Sequence, residues 1–279
     1  MSRLIVNADD FGLTAGVNRA VVELHAAGVL TSTTLMARAG ATSEACDVAK
    51  STSSLGVGCH VVLVDGEPVL PAREIPTLVD QRTGCFPSKL TPFLARLFSG
   101  RIATDEIEAE AAAQIRSLKS KGLVLTHIDT HKHTHMFPAV LRPVLRAARA
   151  ANIRAVRNPF EPSWAVRATA GAGWARCAEV SLLRNLESHC RRIIAQEGMI
   201  TTTGTIAVVG TGVLDGAAVR SLLSAMPDGT WELVTHPGYN DADLAKVRTR
   251  LRASRDIERE ALAAIREFPQ IELISYAGL

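Results

Sequence analysis

The chain has 279 residues, 47% hydrophobic and 21% charged, enough to bury the core of one large α/β domain or two small ones. A formal net charge of +3 lacks the basic excess that would demand a nucleic-acid partner, and the arginine-rich stretches at 142–157 and 246–259 read as solvated helix faces. Five cysteines without a CxxC pair exclude a disulfide framework, no apolar run reaches the ~20 residues of a membrane span, and no signal peptide opens the chain, so the expected location is the cytoplasm, with peripheral contact at the inner membrane surface compatible.

Short β-rich runs alternate with helical patterns. Strands are predicted at 3–8, 29–37, 55–64, 123–131, 153–158, 204–209 and 231–237. Helices are predicted at 15–27, 104–121, 139–151 and 241–267. Thr104-Asp105-Glu106 reads as a capping start for the second of these, and Asn240-Asp241 opens the last, which stops near Pro269. Strand–helix repetition means a parallel sheet, and about seven strands favour a distorted, TIM-like (β/α) barrel built as a single domain over 1–279. The stretches 65–103 and 159–200 read as irregular insertions of the kind that shape a substrate pocket. Within the first, Leu90, Phe93, Leu94, Leu97 and Phe98 recur at helical spacing beside Lys89, Arg96 and Arg101. That stripe suits either a helix packed on the barrel or a surface that guides an acyl chain.

The chemistry concentrates in THIDTHKHTHMFP, 126–138, where His127, Asp129, His131, His133 and His135 fall at every second position. Extended backbone would put all five on one face. An exposed edge strand is the plain alternative, yet Leu123, Val124 and Leu125 just before them read as buried. Other predicted strands end in Asp9-Asp10, carry His60, or end in His236. Singly these have ordinary readings: a helix cap, a core histidine, a turn. In a parallel barrel, however, all C-terminal strand ends share one face, so four strands would deliver Asp or His to one place. Carboxylate plus imidazole suits zinc or another transition metal better than magnesium. Three ligands with an open position would make the metal catalytic, and a neighbouring carboxylate could take a proton from water. The Gly-rich VGTGVLDG at 209–216 misses the dinucleotide fingerprint by one residue.

Together NADDFGLTAGVNRAV, GVGCHVVLVDGEPV, HIDTHKHTHMFP and THPGY resemble the YdjC-type carbohydrate deacetylases. The resemblance implies a polysaccharide-deacetylase-like barrel and hydrolytic N-deacetylation of an N-acetyl amino sugar. It implies one divalent metal, zinc favoured, with magnesium or another divalent ion allowed. Within the family, VLVDGEPVLPAREIPTLVD, the lysine of HKH and VRNPFEPSWA are most similar to the deacetylases of hopanoid glycolipid biosynthesis, whose substrate is N-acetylglucosaminyl-bacteriohopanetetrol. A soluble chito-oligosaccharide or another N-acetyl sugar is the alternative substrate. A non-catalytic sugar- or metal-binding protein is the alternative of another class, opposed by the presence of Asp9 and His236. Carried onto this sequence, the resemblance makes Asp10, His60 and His131 the metal ligands, Asp9 the general base and His236 the general acid, with Arg157 orienting Asp9. His127, four before His131, is the substitute ligand, and His133 and His135 are pocket or supporting groups. Lys132 interrupts the longer histidine run usual in the family.

Overall fold

The structure is a computed structural model that describes residues 2–169 and 171–279. Its elements in chain order are β1 (Ser2–Phe11), α1 (Ala15–Ala26), β2 (Ser32–Leu35), α2 (Thr42–Ser51), β3 (Gly56–Val61), α3 (Leu90–Phe98), α4 (Thr104–Ser120), β4 (His127–Thr130), α5 (Pro138–Ala150), β5 (Ala155–Val156), α6 (Ser163–Ala168), α7 (Trp174–Leu183), α8 (Glu187–Gln196), β6 (Gly204–Ile206), α9 (Gly216–Ser224), β7 (Gly229–Thr235), α10 (Ser254–Ala261) and β8 (Glu272–Leu273).

β1 is the centre of the sheet. Leu4, Ile5, Val6, Asn7 and Ala8 are all fully buried, because a parallel strand is covered on both faces and reads as a continuous apolar run. The strand order is β5–β4–β3–β2–β1–β7–β6, every pair parallel, with β8 docked beside the start of β1. The two ends of this sheet meet. Val156 N donates to Ile200 O at 3.0 Å, Ile200 N to Arg154 O at 2.9 Å, and Thr205 N to Phe160 O at 3.3 Å. The result is a distorted TIM-like barrel with helices outside. Leu4, Val6 and Ala8 pack outward against the helical layer, whereas Ile5 turns inward to Ala155 and Tyr276. Tyr276 closes the end opposite the C-terminal strand ends: its ring stacks on His127 (3.7 Å between centroids, 11° between planes) and its hydroxyl donates to Glu232 at 2.5 Å. Only glycine fits above that stack, since a Cβ on Gly58 would lie 2.6 Å from His127 Cε1.

All seven predicted strands are present, with shifted ends. β4 stops at Thr130, and Lys132 (φ 56°) and His133 (φ 51°) turn the chain through two left-handed residues into a 3-10 segment, His131–Met136. The period-two alternation therefore ends at His131, and Val124, expected to be buried, is 85% exposed. The last helix begins at Ser254 instead of near 241. Asp241 Oδ1 accepts from the backbone N–H of Asp243 and Leu244, closing a local turn that buried Leu244 pins to the core. Thr104 caps nothing: the N-cap is Ala103, and Glu106 accepts both the N–H and the hydroxyl of Thr77. The 159–200 stretch, expected to be irregular, is largely helical through α6, α7 and α8.

Of the two readings open for the 90–98 stripe the structure supports packing on the barrel, and the reading of the arginine stretches is corrected. The apolar stripe on α3 packs into the core: Phe93 is fully buried, Leu97 nearly so, and Leu90 and Leu94 are half-buried against the same cluster. Phe98 alone of the five is exposed, edge-on to Phe137. The arginine stretches are not simply solvated faces: Arg157 is buried among Asp9, Asp129 and Glu232, and Arg255 is buried against Asp10. Among the described residues, no helix is long and apolar enough to cross a membrane.

Candidate active site

At the C-terminal ends of β1, β3, β4, β5 and β7 the barrel collects acids, imidazoles and two arginines. Adjacent strand residues normally point to opposite faces, so Asp9 and Asp10 should not share a site. They do because the β1–β2 register shifts between Ala8 and Phe11, with Asp10 in the left-handed region at φ 64°. Such a bulge re-aims a side chain, and a non-glycine residue held there is strain kept by its surroundings.

Asp10 Oδ1 lies 3.2 Å from His131 Nδ1 and 3.6 Å from His60 Nε2, and those two nitrogens are 3.2 Å apart. Asp10 Oδ1 makes no hydrogen bond despite being buried. Tetrahedral ligand atoms at zinc distances of ~2.0–2.1 Å stand ~3.3–3.4 Å from one another. The triangle is thus the right size for a metal. The second nitrogen of His60, Nδ1, meets Asp129 Oδ1 at 2.7 Å, which fixes the ring so that Nε2 faces Asp10 and His131. Asp9, His60 and Asp129 form a second close trio, but Arg157 already ion-pairs with both of its carboxylates.

Beneath the triangle, Arg157 is the hub. Its Nη1 and Nη2 donate to Asp9 Oδ2 (2.8 Å) and Oδ1 (2.6 Å), its Nε and Nη2 to Glu232 Oε1 (2.9 and 2.7 Å), and it also pairs with Asp129. Asn7 and Thr34 add donors to Asp9 Oδ1 at 2.9 and 3.0 Å. Asp9 Oδ2, by contrast, faces His236 Nε2 at 3.9 Å and has room for another donor.

Of the buried carboxylates here, Asp9, Asp129 and Glu232 share the one guanidinium of Arg157, Asp10 pairs with Arg255, and Glu258 faces His236. The carboxylates outnumber the guanidinium groups, and the imbalance acts on the imidazole between them. Burial works against a charged His60, but Asp129, Asp9 and Asp10 outweigh it and push its pKa up to about 9. Burial would raise Asp10, but Arg255, His131 and His60 hold it well below the carboxylate range. The site attracts positive charge, and its free donors are two imidazoles and one carboxylate. They fit a divalent cation.

The structure thus brings together Asp9, Asp10, His60, His131, His236 and Arg157. It sets His127 apart: that ring lies lower in the barrel, stacked on Tyr276 with Thr126 on its Nδ1, so it is no substitute ligand. Burial keeps His127 neutral, its pKa down to about 3, and His135, bonded through Nδ1 to Thr130, down to about 4. His133 Nδ1 is buried without a partner. Sequence reasoning missed Asp129 as the brace of His60, Glu232 behind Arg157, and Arg255 and Glu258. Asp129 was visible in the alternation; the other three carry no local signal.

The fold and site define an α/β barrel in which a metal-sized Asp/His triangle adjoins a carboxylate and an imidazole. The chain belongs to the YdjC-like protein family, whose model matches residues 3–267. It is similar to the carbohydrate deacetylase of Thermoanaerobacter pseudethanolicus (29% identity, covering 94% of this chain and 91% of that one) and to that of Mus musculus (30%, covering 85% and 78%). Among solved structures it superposes on an Enterococcus faecalis protein described as a candidate for cellobiose-phosphate cleavage, with a TM-score of 0.77, 26% identity and 99% and 98% of the two chains covered. A lactam utilization protein from Thermus thermophilus, at 14% identity and a TM-score of 0.54, shares the fold.

Proposed function

We propose that this protein is a metal-dependent carbohydrate deacetylase that hydrolyses the acetamide of an N-acetylglucosamine-type sugar. One observation carries this reading: the metal-sized Asp10–His60–His131 triangle, whose Asp10 Oδ1 has no hydrogen-bond partner, stands beside Asp9 and His236. A divalent cation held by those three side chains, zinc by the donor set, would supply Lewis acidity to the acetamide carbonyl and to water. Asp9 is the general base. Arg157 keeps it ionised and fixed by two parallel hydrogen bonds, leaving Oδ2 to accept the proton of the attacking water. His236 is the general acid. Burial disfavours its charged form, but Glu258, Asp9 and Asp10 together raise its pKa, so a proton is held for the departing amine.

The substrate we propose is N-acetylglucosaminyl-bacteriohopanetetrol, on the likeness of residues 62–80 and 156–165 to the hopanoid-pathway deacetylases. The buried α3 stripe favours a second reading, a soluble chito-oligosaccharide, because it removes the helix that would have guided a lipid tail. The five unpaired cysteines suit a cytoplasmic enzyme.

The test is product mass spectrometry on the zinc-loaded protein with the glycolipid and, separately, diacetylchitobiose. Loss of acetyl from either is expected, and the preferred substrate decides between the two readings. Asp9→Asn should retain metal by elemental analysis yet lose ~10²–10⁴-fold in turnover. No deacetylation of either sugar sinks the assignment in favour of a binding protein. Near-normal turnover by Asp9→Asn removes the general base.

A further inference from the structure

Two buried charged residues, Arg255 and Glu258, sit three apart on α10 and hence on one face of the helix. That face meets the ends of β1 and β7. Glu258 Oε2 accepts the backbone N–H of His236 at 2.6 Å and stands 3.6 Å from the ring Nδ1, while Oε1 accepts from Gly212 N at 3.2 Å. His236 Nδ1 is buried and makes no hydrogen bond, so Glu258 is the carboxylate within reach of it. Arg255 Nη2 donates to Asp10 Oδ2 at 2.5 Å and Nη1 to the His236 carbonyl at 3.5 Å. The turn after His236 is fitted against the same arginine: Gly238 N donates to Arg255 O at 3.2 Å, and a Cβ on Gly238 would come within 3.0 Å of Arg255 Cδ.

We propose that Glu258 is a positioning residue for proton delivery, keeping one proton of the His236 imidazolium on Nδ1 so that the other, on Nε2, is presented on the Asp9 side for transfer, and that Arg255 does the matching task for Asp10. One helix face then sets both the acid and one oxygen of the metal triangle. This rests on the deacetylase reading, in which His236 protonates the leaving amine. Arg255 occupies Asp10 Oδ2, so only Oδ1 is turned to the triangle. The charged groups that face His236 are Asp9 and Asp10 from β1 and Glu258 and Arg255 from α10. A general acid works only while protonated, so activity falls as pH rises through its pKa. Neutralising Glu258 removes an influence that raises that pKa, and the alkaline limb should move to lower pH.

The experiment measures pH profiles for the zinc-loaded enzyme on diacetylchitobiose and on p-nitrophenyl acetate, whose leaving group needs no proton. Glu258→Gln should lower kcat on the amide ~10–100-fold and shift its alkaline limb down, with KM, zinc content and ester hydrolysis nearly unchanged. Glu258→Asp, which keeps the charge, should hold the limb near its original position and covers the case in which the glutamine variant does not fold. Arg255→Lys should leave the limb in place and release zinc more readily on dialysis. An unshifted limb in Glu258→Gln, equal loss on both substrates, or a shifted limb in Glu258→Asp overturns the proposal. His236→Ala separates it from the reading beneath: full amide activity in that variant removes the acid itself, whereas an inactive His236→Ala beside an unshifted Glu258→Gln removes only the part given to Glu258.

Discussion

The histidine row at 127–135 and the apolar stripe at 90–98 are equally conspicuous as patterns, and the fold buries most of both with opposite results. In the stripe, Phe93 and Leu97 find apolar neighbours and need nothing more. In the row, burial leaves His127 Nε2, His133 Nδ1 and His135 Nε2 without partners, beside carboxylates that outnumber their arginines. Buried apolar groups are satisfied by contact alone; buried polar groups are costly unless something answers them. Within the site itself, the buried Asp10 Oδ1 is likewise left unanswered.

The largest effect expected from breaking that contrast comes at Arg157. Arg157→Met would strand Asp9, Asp129 and Glu232 together, so the loss should exceed the ~3–5 kcal/mol of one broken buried ion pair. Urea denaturation reads it directly. An unchanged midpoint would mean that the carboxylates are balanced in some other way.

The stripe can be tested at its two ends. Phe93→Ala should cost ~3–5 kcal/mol through the cavity it leaves. Phe98→Ala should stay within ~0.5 kcal/mol, since the ring is 70% exposed. Deacetylation per folded molecule should be unchanged in both. Selective loss of glycolipid turnover in Phe98→Ala would return a lipid role to the exposed end of α3.

A gentler test uses pH. Unfolded imidazole binds a proton below ~6.5, whereas buried His135 does so only near about 4 and His127 near about 3. The unfolded state then holds more protons, so stability declines as pH falls from ~6.5 towards those values, by up to ~1.4 kcal/mol per pH unit for each ring. Melting curves across that window should be less steep in pH for His135→Gln and unaltered in slope for Phe93→Ala. Equal slopes in all three proteins would show that the row does not titrate as a buried unit.

The strand pattern was legible because each barrel strand is a short apolar run whose end carries a polar group, and Asp10, His60 and His131 lie at such ends. Their meeting depended on something a one-dimensional pattern lacks. A bulge turns Asp10 beside Asp9, and two left-handed residues end the alternation after His131. Arg157 was expected at the site from the family likeness, whereas Arg255 looked like surface because arginine usually is; the Asp10 carboxylate explains why it is inside. Glu258 stood in a stretch predicted to be one long helix, where nothing set it apart from its charged neighbours.

Tyr276 gives the assembly an order in time. It donates to Glu232, stacks on His127 and takes the Ser32 hydroxyl as acceptor for its backbone N–H, so three strands of the barrel floor wait for one residue that follows them all in sequence. On the ribosome, β1 through β7 emerge first, and until residue 276 follows, the floor under the acid cluster stays open to water. Contacts between residues this far apart in sequence are slow to form. A stalled or clipped nascent chain would therefore carry most of its strands and helices while lacking the dry floor on which the charges of the site depend.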